Sequence, residues 1–443
     1  MTNEASRRRE ETWYAASCQE PPLAAPPLEG RKTAGIGIIG GGLAGLALAL
    51  GLAERGARPV VLEAGEVGAG ASGRNGGLLS AGFTRDFPSL CRSLGTAPAT
   101  RLFRLGMAAL GLVERRIAKG AIACRPRYGV LEASWLDRPR ELQAAIAREN
   151  ELFARDLRFW PREQLRQLYC SKRYFDGIFD PKARHLDPLA LTRGHARLAL
   201  AAGARLLERS PALEIARRNG GWRVTTEGGR LDVDRLVLAT SAFDRGLHPA
   251  LGRGLLPIHT YIIVSEPLIG AERNGIQGPY AVFDDRFATG YYRLVEGERE
   301  PGPRLLWGGG IGLAAAPTGL ARRLLADLAL VYPKLGRIRI AHAWSGPMGF
   351  ARHRMPVIQK LEPGLWVVSG FGGHGLNTTT MAGEMLAEAL LDEAADDWRL
   401  LAPFTLAWTG GPFAPVAARA FYHSRALQDR MQAAWHQLRR HLS

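Results

Sequence analysis

The segment Gly40-Gly41-Gly42-Leu43-Ala44-Gly45 constrains this chain more than any other. An apolar run, Gly35–Ile39, leads into it, and Leu43–Arg55 follows with helical spacing. Pro59-Val60-Val61-Leu62-Glu63 then reads as a second strand, which completes a βαβ unit of the expected size. Hydropathy alone suggests something else, because Gly35–Ala53 carries no charge and is long enough to cross a bilayer. Yet Gly35, Gly37, Gly40, Gly41, Gly42, Gly45 and Gly51 would each destabilise a continuous helix. A strand, a tight turn and a helix explain the segment better.

Within that unit the glycine spacing has a chemical meaning. Gly40 permits the tight turn, Gly42 removes the Cβ that would block a pyrophosphate, and Gly45 lets helix and strand pack closely. A diphosphate placed there meets free N–H groups and the positive end of the helix. Glu63, ending the second strand, is placed to accept hydrogen bonds from the ribose hydroxyls of an adenosine. The motif does not separate NAD from FAD. A second glycine-rich segment, Gly68-Ala69-Gly70-Ala71-Ser72-Gly73-Arg74-Asn75-Gly76-Gly77, supplies backbone able to approach a flat cofactor closely.

The first 33 residues are polar and rich in proline, an extended arm in this reading. Ala97–Ile117 and Arg138–Leu157 have amphipathic helical spacing, Leu189–Ala202 reads as another helix, and Gly129–Ala133, Trp222–Thr226 and Leu231–Ala239 are strand-like. Tyr261–Ser265, Tyr291–Leu294 and Leu305–Trp307 suggest a separate antiparallel sheet. Leu365–Ser369 is an apolar strand, followed by a glycine-rich turn and a helix from about Thr378 to Leu391. The expected fold is α/β (α+β): a discontinuous Rossmann-like domain formed by 34–90, 190–250 and 345–400. An antiparallel-sheet substrate domain, 91–189 and 251–344, interrupts it twice. An arm (1–33) and a helical tail (401–443) flank them.

Composition narrows the partners. The net charge is +16, but only six of the basic residues are Lys and the Arg are dispersed, which describes a solvated surface and no nucleic-acid groove. The four cysteines form no C-x-x-C pair, so zinc and iron–sulfur sites are not indicated and reduced thiols are expected. Arg7-Arg8-Arg9 precede no apolar core, so no export signal is expected and the location is read as cytoplasmic, without a transmembrane segment.

The chain resembles the D-amino acid oxidase/glycine oxidase superfamily of FAD-dependent amine oxidoreductases, in particular its γ-glutamylputrescine oxidase-like branch. The resemblance rests on Trp13-Tyr14-Ala15-Ala16, the Gly40–Gly45 motif, Gly70–Gly77, Gly177–Pro188, Tyr261–Leu268, Tyr291–Leu294 and the run Gly370-Phe371-Gly372-Gly373-His374-Gly375-Leu376-Asn377. It implies that Gly40, Gly42, Leu43, Ala44, Gly45, Glu63 and Ala64 hold the ADP half of FAD. Ser72, Gly73, Arg74, Asn75, Gly76, Gly77 and Leu78 would run along the diphosphate and isoalloxazine. Ala212 or Leu213 would touch the adenine, and Thr240 would end a strand passing beneath the cofactor. Gly346, Gly372, Gly373, His374, Gly375, Leu376 and Asn377 would face the flavin ring. His374, Tyr261, Tyr292 and Trp344 are the candidate catalytic residues, the aromatics as a cation–π pocket for an amine.

Three departures bear on the chemistry. Met348 stands where glycine oxidase-like enzymes carry the Arg that clamps a substrate carboxylate, with Arg352 and Arg354 out of register. Gly346 occupies the position at which sarcosine oxidase-like enzymes attach flavin through Cys, so FAD is expected to be non-covalent. Leu305-Leu306-Trp307-Gly308 offers no Lys for oxygen activation. The resemblance implies oxidation of a small amine with O2 as electron acceptor, and the absent Lys leaves transfer to another acceptor open. The alternatives are a dehydrogenase passing electrons to a quinone and, in another class, a tRNA-modifying flavoprotein.

Overall fold

The computed structural model describes residues 11–442 apart from 219, 242, 244–245, 287–289, 298–301 and 316. Arg7-Arg8-Arg9 lie outside the described residues. Two sheets organise the chain. In the eight-stranded sheet, Gly30–Ile39 lies centrally and pairs in parallel with Gly229–Leu238 on one side and Val60–Leu62 on the other. Arg205–Leu207 continues the parallel order beyond Val60–Leu62, and Leu365–Ser369 does so beyond Gly229–Leu238. Val357–Glu362 closes that edge, antiparallel to Leu365–Ser369.

The helix Leu43–Glu54 follows the central strand directly and is buried nearly all round. That burial explains its uniform hydrophobicity: it has no solvent face on which to be polar. The helix Gly375–Leu391 packs on it so closely that a Cβ on Gly383 would lie 2.7 Å from the Leu48 nitrogen. The apparent bilayer span is thus a strand, a turn and a core helix. Among the described residues no helix is long and apolar enough to cross a membrane.

The nine-stranded sheet is antiparallel except where Ala281–Asp284 runs parallel to Arg127–Ala133. Its order places Ile340–Phe350 at one edge, then Leu256–Ser265, Arg304–Gly312, Tyr291–Val295, Ala281–Asp284, Arg127–Ala133 and Gly177–His185. One face carries an aromatic core in which Tyr292 stacks on Trp307, ring centroids 5.1 Å apart. The chain passes between the two sheets several times, so each sheet is assembled from separate stretches of sequence.

Two expected boundaries move. The 345 limit cuts through the strand Ile340–Phe350, which pairs with Leu256–Ser265 along its length and belongs to the nine-stranded sheet. The arm gives way to sheet at Gly30, before 33, because Gly30–Thr33 already pair with Gly229–Asp232. Within the arm, Trp13–Ser17 forms a short helix capped by Thr12, whose side-chain oxygen accepts from the Ala15 N–H.

Candidate functional site

A cavity of about 970 Å³ lies between the two sheets, near the upper end of the size of small-molecule sites. The Gly40–Gly45 turn forms one wall. Gly40 adopts φ +118°, and a Cβ there would sit 2.5 Å from the Ala239 carbonyl oxygen. On Gly45 a Cβ would lie 2.0 Å from the Gly40 oxygen, so the helix can start only with glycine at that position. The first helical amide, Leu43 N–H, donates to the Ser72 hydroxyl at 2.9 Å. The turn, the helix N-terminus and the Ser72 loop are thereby fixed together. The Glu63 carboxylate accepts from the Gly41 and Gly65 N–H groups at 2.7 and 2.9 Å and faces the cavity.

The Gly68–Gly77 loop is braced from the opposite side. Asn75 donates to the Ala71 and Ser72 carbonyls and accepts from the Gly77 N–H. Arg293, buried in the nine-stranded sheet, donates to the Gly76 and Leu186 carbonyls and to the Tyr14 hydroxyl. Tyr14 in turn donates to the Asn75 carbonyl. The short helix of the arm and a strand of the other sheet thus hold one cavity-lining loop. No role for Tyr14 or Arg293 was legible in their spacing; only their place in runs shared with the resembling family marked them.

Of the residues expected at the cofactor, Gly40, Gly42, Leu43, Ala44, Glu63, Ala64, Ser72, Asn75, Gly76, Gly77, Leu78, Ala212, Thr240, Gly372, Gly373, His374, Gly375 and Leu376 line the cavity. Gly45, Gly73, Arg74, Leu213, Gly346 and Asn377 do not. Gly45 and Gly73 sit behind the lining as packing glycines. Arg74 turns away to donate to the Ser345 carbonyl, with its own carbonyl accepting from the Trp344 indole N–H. Gly346 packs against the Arg74 carbonyl, 3.1 Å from where a Cβ would be. Leu213 is exposed, and Asn377 is buried beneath the helix start.

Of the aromatic candidates, Tyr261, Tyr292 and Trp344 fall outside the cavity lining. Tyr261 donates to the Ala314 carbonyl at 2.8 Å, and Tyr292 shares a 2.6 Å hydrogen bond with Tyr332 in the aromatic core. Trp344 packs edge-on to Tyr14. Their immediate neighbours Thr260 and Tyr291 face the cavity, because successive strand residues point to opposite faces. His374 is at the cavity, half-buried, its Nε2 on the Ser80 carbonyl at 3.2 Å. Burial holds its pKa below the ordinary imidazole value, so the ring is neutral near pH 7.

Spacing also gave no sign of a charged group of side chains in the cavity wall. Glu132, Glu149, Arg155 and Asp180 line it, with Arg155 paired to both Glu149 and Asp180. Desolvation, reinforced by the nearby Asp285 charge, pushes the Glu132 carboxyl up to about 7. Met348 also lines the cavity, as does Arg354 from the loop beyond it. Among the described residues no lysine lines the cavity and no cluster of side chains suits a metal ion.

Residues 36–389 match the family model described as FAD dependent oxidoreductase. The chain is 30% identical to a probable oxidoreductase, OrdL, of Haemophilus influenzae over 85% of this chain and 86% of that protein. It is also 30% identical to the γ-glutamylputrescine oxidoreductase of Escherichia coli, over 86% of this chain and 89% of that one. The fold is that of glycine oxidase from Geobacillus kaustophilus, with a TM-score of 0.67 at 20% identity over 85% of this chain and 98% of the other.

Proposed function

We propose, from the premise that this chain belongs to the FAD dependent oxidoreductase family, that it oxidises a C–N bond of a small amine of the γ-glutamylputrescine kind. The residues present fit FAD. The glycine turn leaves a cradle that a Cβ would fill, and Thr240 Oγ1, buried on the cavity wall, has no hydrogen-bond partner among the described residues. When bound, non-covalently in this reading, FAD supplies the acceptor for a hydride from the carbon beside the nitrogen; the resulting imine is hydrolysed by water and O2 takes the electrons as H2O2.

The chain's own residues do the positioning. With FAD bound, the N-terminus of Leu43–Glu54 and the Gly40–Gly42 backbone would hold the diphosphate and Glu63 would accept from the ribose, since all of them border the cavity. His374, neutral and tied to the Ser80 carbonyl, fixes the loop in front of the helix Gly375–Leu391. Thr260, Phe283 and Tyr291 shape the substrate half of the cavity.

The observation that carries the amine reading is Met348, which presents a thioether to the cavity where a carboxylate-binding guanidinium would stand in an amino-acid oxidase of this type. A second reading, an α-amino acid substrate, draws on Arg354, which reaches the same cavity from the next loop. The four cysteines are unpaired, which suits a reducing compartment such as the cytoplasm. The deciding experiment is anaerobic mixing of the holoenzyme with γ-glutamylputrescine, 1,4-diaminobutane, sarcosine and glycine, followed by air. Bleaching of the oxidised flavin band by the amines, with peroxide on reoxidation, is the expected result. Bleaching by glycine alone overturns the amine reading in favour of the second. Sluggish reoxidation without peroxide replaces O2 by another acceptor.

A further inference from the structure

Every carboxylate that lines the cavity has a partner except one. Glu63 accepts two backbone N–H groups, Asp86 accepts from the Ser89 N–H, and Glu149 and Asp180 share Arg155. Glu132 lines the same cavity and has neither hydrogen bond nor ion pair among the described residues.

Its position follows from sheet register. Glu132 lies opposite Ile178 on one neighbouring strand and Phe283 on the other, and all three line the cavity. Phe283 in turn pairs with Tyr291, so an aromatic wall continues from the carboxylate towards the glycine loops. A carboxylate flanked by Ile and Phe is poorly hydrated and gains most from a cation arriving in the cavity. Adjacent aromatic faces favour the same ligand. Arg155 does not satisfy this demand, because its guanidinium is already held by Glu149 and Asp180. Three carboxylates against one guanidinium leave this end of the cavity negative.

We propose that Glu132 is the anionic anchor for an ammonium group of the substrate remote from the nitrogen that is oxidised, which makes an aliphatic amine carrying a second, protonated amino group the class of molecule this end of the cavity selects. This deepens the amine reading above and rests on it. Glu132 is a binding and specificity residue, and no proton or hydride transfer is assigned to it. The groups that face it are Asp285 and Arg138 behind its strand, Glu149 and Arg155 from the helix Pro139–Phe153 and the loop after it, and Asp180 on the neighbouring strand. Desolvation first, and the charges of Asp285 and Glu149 next, move its ionisation to about pH 7. The amine, with a pKa like that of Lys, stays protonated well above this. Amine binding therefore strengthens as pH rises through about 7, as the carboxyl loses its proton.

The test uses the FAD-loaded enzyme with γ-glutamylputrescine and 1,4-diaminobutane as reductants. Glu132→Gln raises KM about 10- to 100-fold while kcat changes less than about threefold, the loss expected for one charge-assisted contact. It also abolishes the pH dependence of KM, and Glu132→Asp recovers most of the affinity. Wild-type KM in Glu132→Gln at full flavin content, with the same pH profile, overturns the proposal. If that variant does not fold, the wild-type profile decides, because a KM that stays flat across about pH 6 to 8 overturns it too. Failure of every amine to reduce the wild-type flavin defeats the amine reading itself, whereas equal KM in two active enzymes defeats only the role of Glu132.

Discussion

The two sheets border one cavity by different means, the eight-stranded sheet mostly with backbone and the nine-stranded sheet mostly with side chains. On the first, the contributions of Gly40, Gly42 and the Gly372–Gly373 loop depend on the absence of a Cβ. A Cβ on Gly40, Gly42 or Gly372 would stand within 3 Å of its nearest neighbour. On the second, Glu132, Phe283, Tyr291 and Thr260 reach the cavity because they occupy one face of a pleated sheet. Backbone sites are intolerant of almost any substitution, since the space itself is the binding element. Side-chain sites can change ligand by single replacements while the sheet persists.

That contrast is sharpest at Gly40. Gly40→Ala combines φ +118° with a 2.5 Å contact to a backbone oxygen that cannot move aside. We expect a loss of more than about 3 kcal/mol from backbone strain and steric overlap together, with the protein purified largely free of flavin. Gly56→Ala is the control: its φ is +87°, but nothing lies within 4 Å, and it should cost only about 1 kcal/mol with full flavin content. Thermal denaturation and the flavin-to-protein absorbance ratio measure both. Equal behaviour of the two variants would mean that conformation alone, without the close approach, explains the glycine turn.

A buried histidine in each layer extends the comparison to pH. His195 lies on the helix Pro188–Ala201 beside the first sheet and His185 on a strand of the second; burial holds both at about 3. In the unfolded chain each titrates near its ordinary value of about 6.5. The folded pKa is the lower one, so unfolding takes up protons below about pH 6.5. The stabilisation is complete above that pH and drains away as pH falls towards about 3. At pH 5 the cost relative to pH 7 is about 2 kcal/mol for each residue. His195→Leu, which also removes two ring nitrogens lacking partners, should flatten the acid limb of a denaturant-midpoint profile by that amount. An unchanged limb would show that His195 is not neutral and buried in solution.

The same division decides what the sequence made readable. The glycine turn was legible because three glycines at fixed spacing, between a strand and a helix, have one geometric purpose, and the family resemblance then supplied FAD. The strands Tyr291–Val295 and Leu256–Ser265 were legible in part as strands, but their inward face was not. Tyr261 and Tyr292 were expected in the cavity, and the structure places Thr260 and Tyr291 there instead. A register offset of one residue reverses every side chain on a strand, and nothing in an aromatic-rich run such as Tyr291-Tyr292 states which aromatic is buried in protein and which borders a ligand. Glu132 escaped for a related reason. Its isolation depends on Ile178 and Phe283, brought beside it from strands distant in the chain.

The smallest effect tests that offset most directly. Tyr292→Phe removes the 2.6 Å hydrogen bond to Tyr332 and leaves the stack on Trp307 intact. It should lower stability by about 1 kcal/mol and leave the KM for amine unchanged, because the hydroxyl lies in the aromatic core. Tyr291→Phe, one residue earlier, removes a hydroxyl that is hydrogen-bonded to Thr260, and both of these residues line the cavity. Its effect should appear in KM, or in the spectrum of bound flavin, as well as in the melting temperature. Paired thermal melts and steady-state kinetics on the two variants separate the faces. If Tyr292→Phe moves KM and Tyr291→Phe does not, the inward face of this sheet is the opposite one, and Glu132, which shares its face with Phe283 and Tyr291, could not be an anchor for the amine.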